Sequence, residues 1–382
     1  MALTKAKLGV GFHSIMFLAA ILSWVLGPFS GDARAQHGTF NHPGNILITD
    51  QFNNRVIEID QAGNIVWQFG GGPDNITASA IIGTNDAERV GGLTLMAGTG
   101  IPPGVAQSTL KCQSSGCVDN RVLLVNHHGH IVWQYGEFGV TGCGPNQLNV
   151  PVQNTFLPNG NVLITDQSNE RIIEVKPSGR SGGTIVWWFG QDNSSCNGPS
   201  QLNNPNAAEL LANGNILISD ENNGRAIEVT HTLPSTIVPN GTFTGAGGVA
   251  FSGVAFASRL PNGHTLITDS NNSRIVETEA CADGLSCTIF WQFNTNTPGS
   301  NPNGPFPTRA VRLANGNTLI SDQFNDRVIE VDMSLDSGAS GVIVRSYGVI
   351  STPGFNLHDA SVLNAPYSAY VIGDYTGITP PF

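Results

Sequence analysis

The side chains best equipped for chemistry in this sequence recur as a set. A carboxylate, an amide and a guanidinium stand in the spacing Asp-x-x-Asn-x-Arg at Asp50, Asn53 and Arg55. The set returns at Asp166, Asn169 and Arg171; at Asp220, Asn223 and Arg225; at Asp269, Asn272 and Arg274; and at Asp322, Asn325 and Arg327. Such a group can hold calcium or an acidic ligand. It can equally lock a tight turn, through a charge-assisted Asp–Arg hydrogen bond with the Asn closing the backbone. Repetition favours the lock, because a ligand needs one arrangement and a repeated scaffold needs the same one each time. A glutamate follows each arginine by three residues (Glu58, Glu174, Glu228, Glu277, Glu330), on the opposite strand face. It is expected to reach the arginine turn of the neighbouring unit.

The histidines are less regular. His127, His128 and His130 have the density of a metal cluster, but they fall in a hairpin matching Asp60 to Asn64, so a solvated turn is expected. His264 replaces an Asn in a Pro-Asn-Gly-Asn turn, and His231 follows an outer strand. His358, beside Asp359 in a connecting loop, is the histidine placed for chemistry. No GxSxG, HExxH or Walker loop is present. No cofactor and no metal ligand set are assigned; a channel metal such as calcium is the one inorganic group left open.

Lys5 and Lys7 precede an apolar run from Ile15 to Leu26, and Ala33-Arg34-Ala35 offers small residues where a signal peptidase reads, so residues 1–35 are expected to be a cleaved signal peptide. The run is shorter than the ~20 residues a spanning helix needs, and no membrane span is expected in the mature chain. Secretion or a periplasmic location follows. All six cysteines (Cys112, Cys117, Cys143, Cys196, Cys281, Cys287) lie in the exported part, as disulfides would. Local bridges are expected for Cys112 with Cys117 and Cys281 with Cys287, and a link between successive units for Cys143 with Cys196. Removing the leader leaves 14 basic and 27 acidic residues, a charge of −13. Nucleic acid is excluded as a partner, since its backbone is bound by clustered Lys and Arg.

The elements that must position these residues follow from the repeat. ITDQFNNRVIEI (48–59) returns four more times, and NRVLLVNHHGHIVWQYG (120–136) is a degenerate sixth copy without the upstream Asp. Equivalent arginines at 55, 121, 171, 225, 274 and 327 give a unit near 50 residues, as in a four-stranded propeller blade. Each unit reads as four strands: one before a Pro-Asn-Gly or Ala-Asn-Gly turn, one ending in the motif Asp, one starting at the Arg, and one carrying a tryptophan at a recurring position (Trp67, Trp133, Trp188, Trp291). The fold class is therefore all-β: a six-bladed β-propeller of four-stranded antiparallel blades, occupying residues 36–382 as one domain. The first copy has no room for an initial strand, whereas LNAPYSAYVIGDY (363–375) resembles initial strands elsewhere. The ring should close by N- and C-terminal strands sharing one blade.

The Asp-x-x-Asn-x-Arg spacing before an apolar strand resembles the NHL repeat of six-bladed propellers, over nearly all of residues 40–375. LPNGN, RIIEV and IVWWF carry a weaker likeness to bacterial arylsulfotransferase and PQQ-type propellers. The NHL resemblance implies fold more than activity, for that family includes ligand and peptide sensors, RNA- or protein-binding modules, and lyases. Its amidating lyases bind zinc through histidines, and arylsulfotransferases use a histidine nucleophile; no initial strand from Asn149 onward has one. Ligands of such rings are met at the axial channel or loop face by residues that break the repeat. On the initial strands Gln153, Ala207, Phe256 and Arg309 share one position, and Thr155, Glu209, Ser258 and Val311 another. Arg309, Glu209 and Gln153, with His358 and Asp359, are the candidate ligand-binding residues; catalytic residues are not assigned. The leading expectation is an extracytoplasmic scaffold binding a small molecule, glycan or protein. The alternative is a propeller enzyme: a lyase, hydrolase or arylsulfotransferase-like protein.

Overall fold

The computed structural model describes residues 40–191, 196, 200–335 and 340–374. The expected signal peptide lies outside them. Among the described residues no helix is long and apolar enough to cross a membrane.

Six sheets, each of four antiparallel strands, form the six blades of a β-propeller, and a two-residue hairpin pairs Gly245–Ala246 with Val249–Ala250. The innermost strands are Pro366–Val371 in blade 1, Thr84–Val90 in blade 2, Pro151–Phe156 in blade 3, Pro205–Leu210 in blade 4, Val254–Arg259 in blade 5 and Arg309–Arg312 in blade 6. Each lies against the next, and the sixth against the first. The ring closes as the sequence implies: Pro366–Val371 pairs with Ile46–Asp50, Leu47 opposite Tyr370 and Ile48 opposite Ala369. Five of the six second strands, Ile46–Asp50 and its counterparts in blades 3 to 6, are buried at every residue. They sit between two blades, so both of their faces are apolar. The core accordingly runs between blades. One cluster joins Leu163, Ile172 and Trp187 of blade 3 to Ile216, Ile218 and Ile227 of blade 4.

The Asp–Asn–Arg sets are turn locks. In five blades the Arg Nε donates to the Asp Oδ2 at 2.6 to 2.8 Å, beneath a turn that four blades build as a 3-10 segment. Blade 2 has the lock as well, with Asp119, two residues before Arg121, supplying the carboxylate.

Two expectations need correction. The motif glutamates do not reach the arginine turn of the next blade, because that turn stands at the other end of the strands. Each accepts amide donors of its own blade, such as Asn159 and Asn161 for Glu174, and a cation from the end of the next blade's inner strand where one exists. Glu58 pairs with Arg89 at 2.5 Å, Glu228 with Arg259 at 3.3 Å and Glu277 with Arg312 at 2.8 Å. Blade 4 has Leu210 at that place, and its His231 takes Glu174 instead, at 2.6 Å. Between blades 2 and 3 both partners are apolar, Leu124 and Phe156. The recurring tryptophan of blade 3 is Trp187, not Trp188. Trp187 lies opposite Glu174 as Trp67 lies opposite Glu58, and both indoles donate to a carbonyl of the next blade, Thr232 and His127.

All three disulfides pair as expected, Cys112 with Cys117, Cys281 with Cys287, and Cys143 with Cys196 across two inter-blade loops.

Candidate functional site at the channel mouth

Every inner strand enters the ring through a residue with positive φ, between 43° and 66°: Gly83, Val150, Asn204, Gly253, Phe306 and Ala365. In five blades a bulge follows. Pro151 stands opposite Asp166 and Gln153 opposite Thr165, with Val152 inserted between them. A bulge lets two successive residues face the same side. Twelve residues therefore line the channel, two per blade: Asn85, Val152, Asn206, Ala255, Thr308 and Tyr367 nearer the mouth, with Asp86, Gln153, Ala207, Phe256, Arg309 and Ser368 below. They enclose about 210 Å³ of empty space, the open mouth included.

Gln153, Ala207, Phe256 and Arg309 thus share one level, as the sequence alignment implies. Arg309 bonds through Nη1 to the Asp86 carboxylate, and its guanidinium stands 4.6 Å over the Phe256 ring. Burial pushes the Asp86 carboxyl above its ordinary range, and Arg309 draws it back in part. Asp86 escaped the sequence alignment because blade 2 turns its inner strand at Gly91 and Gly92, without the Pro-Asn-Gly marker used for registration.

Glu209 lies two residues deeper, on the level of Glu88 and Tyr370. An inner strand is a sheet edge, and its outward N–H groups need acceptors. The preceding blade supplies them. Asp86 accepts from the Asn154 N–H at 3.2 Å, Gln153 Oε1 from Ala208 at 2.5 Å, and Glu209 Oε1 from Arg259 at 3.3 Å. Glu88 accepts the Phe156 N–H and the Tyr370 hydroxyl that of Arg89. Side chains of different type do one job here, so their failure to repeat is not by itself a mark of ligand binding. Glu88 has no cation bonded to it among the described residues, and burial pushes its carboxyl well up.

His358 and Asp359 are not among the channel residues. The Ala360 N–H reaches Gly63 O at 3.4 Å and Asp359 bridges to Asn64, which sets this loop on the outer hairpin of blade 1. Asp359 accepts from Ser361 and Asn356, and the bonds from Ser361 hold its carboxyl below the usual range. His127, His128 and His130 are exposed on the outer hairpin of blade 2, and among the described residues no three His, Cys, Asp or Glu are placed to hold a metal.

The mouth is spanned by a hydrogen-bonded chain that the sequence reading missed. Tyr367 of blade 1 crosses the channel to Asn206 of blade 4, the opposite blade, with its hydroxyl 2.8 Å from Nδ2 and 3.1 Å from Oδ1. The same Nδ2 donates to Glu221 Oε2 at 2.8 Å, as does Gln167 Nε2 at 3.2 Å. Across the mouth Gln323 donates to Gln51 at 2.8 Å and Gln51 to Asn85 at 2.7 Å. Burial raises the Tyr367 phenol above its ordinary value, and the Glu221 charge raises it further; burial raises the Glu221 carboxyl, with Asn206 opposing. Tyr367, Glu221 and Gln167 remain half-buried, whereas the channel level below is buried. One signal could have found this chain. The residue after each motif Asp is Gln51, Gln167, Glu221, Ser270 or Gln323, and only Glu221 is charged.

No protein-family model matches this chain, and no curated protein does. Solved structures do. A protein of unknown function from Bacteroides caccae aligns at 15% identity and TM-score 0.53, over 86% of this chain and 98% of that one. The periplasmic gluconolactonase of Pseudomonas aeruginosa aligns at 10% identity and TM-score 0.50, over 87% and 99%. Virginiamycin B lyase from Staphylococcus aureus aligns at 14% identity and TM-score 0.46, over 83% and 84%. At such identities the likeness concerns the propeller fold.

Proposed function

We propose that this protein is an extracytoplasmic propeller of the NHL-repeat type that recognises a small polar molecule at its channel mouth. One observation carries the reading. Channel side chains below the mouth bond to strand N–H groups of the next blade, while Tyr367, Asn206 and Glu221 form a chain across the opening in which Asn206 is buried and Tyr367 and Glu221 stay partly exposed. A concave site with a few fixed polar groups is the usual form of a small-molecule pocket. The three disulfides support an oxidising compartment. A thermal-shift screen of small polar molecules should find a compound whose stabilisation of the wild type disappears in Asn206→Ala. If the hits keep their full shift in that variant, the mouth is not the site.

A further inference from the structure

We infer that the ligand group received at this mouth is a cation of the ammonium or guanidinium type, bound against Glu221. The inference rests on the mouth being the recognition site. Five blades carry a residue directly after the motif Asp, and in four of them it is neutral: Gln51, Gln167, Ser270 and Gln323. Blade 4 alone puts a carboxylate there. Among the described residues no cation pairs with Glu221, which stands beside the channel residue Asn206, while Asp86, the acid among the channel residues, is matched by Arg309. Both amide donors go to Glu221 Oε2, and Oε1 carries no hydrogen bond from a described residue. Two N–H donors on one oxygen favour the ionised form, and burial resists it. A ligand cation at Oε1 would resolve that opposition, and the Tyr367 hydroxyl and Asn206 amide beside it would fix its orientation.

The test uses three probes of nearly equal shape: n-butylammonium, n-butanol and butyrate, titrated by ligand-observed NMR into the whole protein at low and high salt. Saturable binding is expected for the ammonium alone, at least tenfold weaker in Glu221→Gln and weaker at high salt. Apo melting of that variant should be unchanged. Ammonium binding that survives Glu221→Gln, or its absence in the wild type, overturns the inference. Binding of butanol or butyrate that is lost in Asn206→Ala would overturn the cation and keep the mouth as the site.

A different observation carries a second inference, at the seam between blades 6 and 1. The second oxygen of the turn-lock Asp accepts an N–H from the residue before the inner strand's entry: Asn364 for Asp50, Asn149 for Asp166, Asn203 for Asp220 and Ser252 for Asp269. In blade 6 that residue is Pro305, whose carbonyl still accepts from Phe324 but which has no N–H. Asp322 Oδ1 is accordingly buried without a partner. Four residues on, Asp326 takes the left-handed cap position that Asn54 and Asn120 hold in blades 1 and 2. All three accept the entry N–H of the following blade: Asn54 from Gly83, Asn120 from Val150, Asp326 from Ala365. The asparagines also donate Nδ2 to loop carbonyls, Pro73 and Val140. Asp326 Oδ2, at the place of that amide, is buried without a partner.

We propose that Asp326 keeps a proton in the folded protein and stands in for an asparagine at the seam where the ring closes. The charged groups in its field are Asp50 and Asp322, each held by its own arginine, Arg55 and Arg327. Burial, then these two carboxylates, push its carboxyl up to about 7, with the Ala365 N–H opposing. A raised folded value means that the native state binds the proton where the unfolded chain has released it, so stability falls as pH rises from the ordinary carboxylate range to about 7. Asp326→Asn should melt with the wild type near pH 4 and progressively above it from pH 5 to 8. A melting difference that does not change with pH would overturn the proposal.

Discussion

Asp119 and Gly98 share the task that one aspartate performs in each other blade. Gly98 lies opposite Arg121 as Asp50 lies opposite Arg55, and the Asp119 carboxylate occupies the space a side chain at 98 would need. From there it bonds the Arg121 Nε and the Ile82 N–H. A Cβ on Gly98 would collide with Asp119 Oδ2. Gly98→Ala should therefore destabilise by about 1–3 kcal/mol, the usual range for overpacking. Gly98→Asp combined with Asp119→Gly rebuilds the arrangement of the other blades and should recover most of that loss in chemical denaturation. A double variant no better than Gly98→Ala would show that the carboxylates are not interchangeable.

The seam between blades 1 and 2 permits a similar exchange. Removing Arg89 leaves Glu58 buried and uncompensated, which typically costs ~3–5 kcal/mol. Arg89→Phe alone should fall in that range. With Glu58→Leu added, the seam takes the Leu124–Phe156 form already present between blades 2 and 3, and stability should largely return. Additive losses in the double variant would contradict this account of the seam.

These cases show what was legible in the sequence. Asp, Asn and Arg at fixed spacing encode a local turn, so five locks and the blade count could be read from spacing, and the closing strand from the likeness of 363–375 to initial strands elsewhere. Contacts between blades are not local. Glu58 meets an arginine 31 residues on, and Asp86 meets Arg309 across 223 residues. Blade 2 hid its half of such pairs by lacking both the motif Asp and the Pro-Asn-Gly turn. Gln153 and Arg309 line the channel and Glu209 lies two residues deeper than that level, but their position on the inner strands could not reveal that Gln153 and Glu209 are occupied with strand N–H groups.

The His231–Glu174 pair makes one seam depend on pH. Side-chain hydrogen bonds, that of His231 foremost, outweigh burial and hold the Glu174 carboxyl below its ordinary value. A depressed folded value gives stability that is present above the ordinary carboxylate range and lost as pH falls through it. Glu174→Gln should show its full deficit in melting temperature near neutral pH, and a shrinking one as pH falls below about 4.5. A deficit that grows on acidification would reverse the sign.

Ring closure depends on the C-terminal strand. Deleting residues 363–382 strips Ile46–Asp50 of its inner partner and exposes a sheet edge on blade 1. The truncated chain is expected to aggregate or to lose cooperative unfolding. A soluble monomer with a single sharp transition would count against closure by this strand.

The most direct measurement sets two variants side by side, using any compound that stabilises the wild type: Tyr367→Phe at the mouth and Glu209→Ala in the channel. Glu209 holds an N–H of the next blade, so its loss should lower the apo melting temperature and leave the ligand-induced shift intact. Tyr367→Phe removes only the hydroxyl that meets Asn206, so it should cut the ligand-induced shift and change apo melting little. The reverse pattern, with Glu209→Ala abolishing the ligand shift and Tyr367→Phe sparing it, would place recognition in the channel and contradict the assignment made for the mouth.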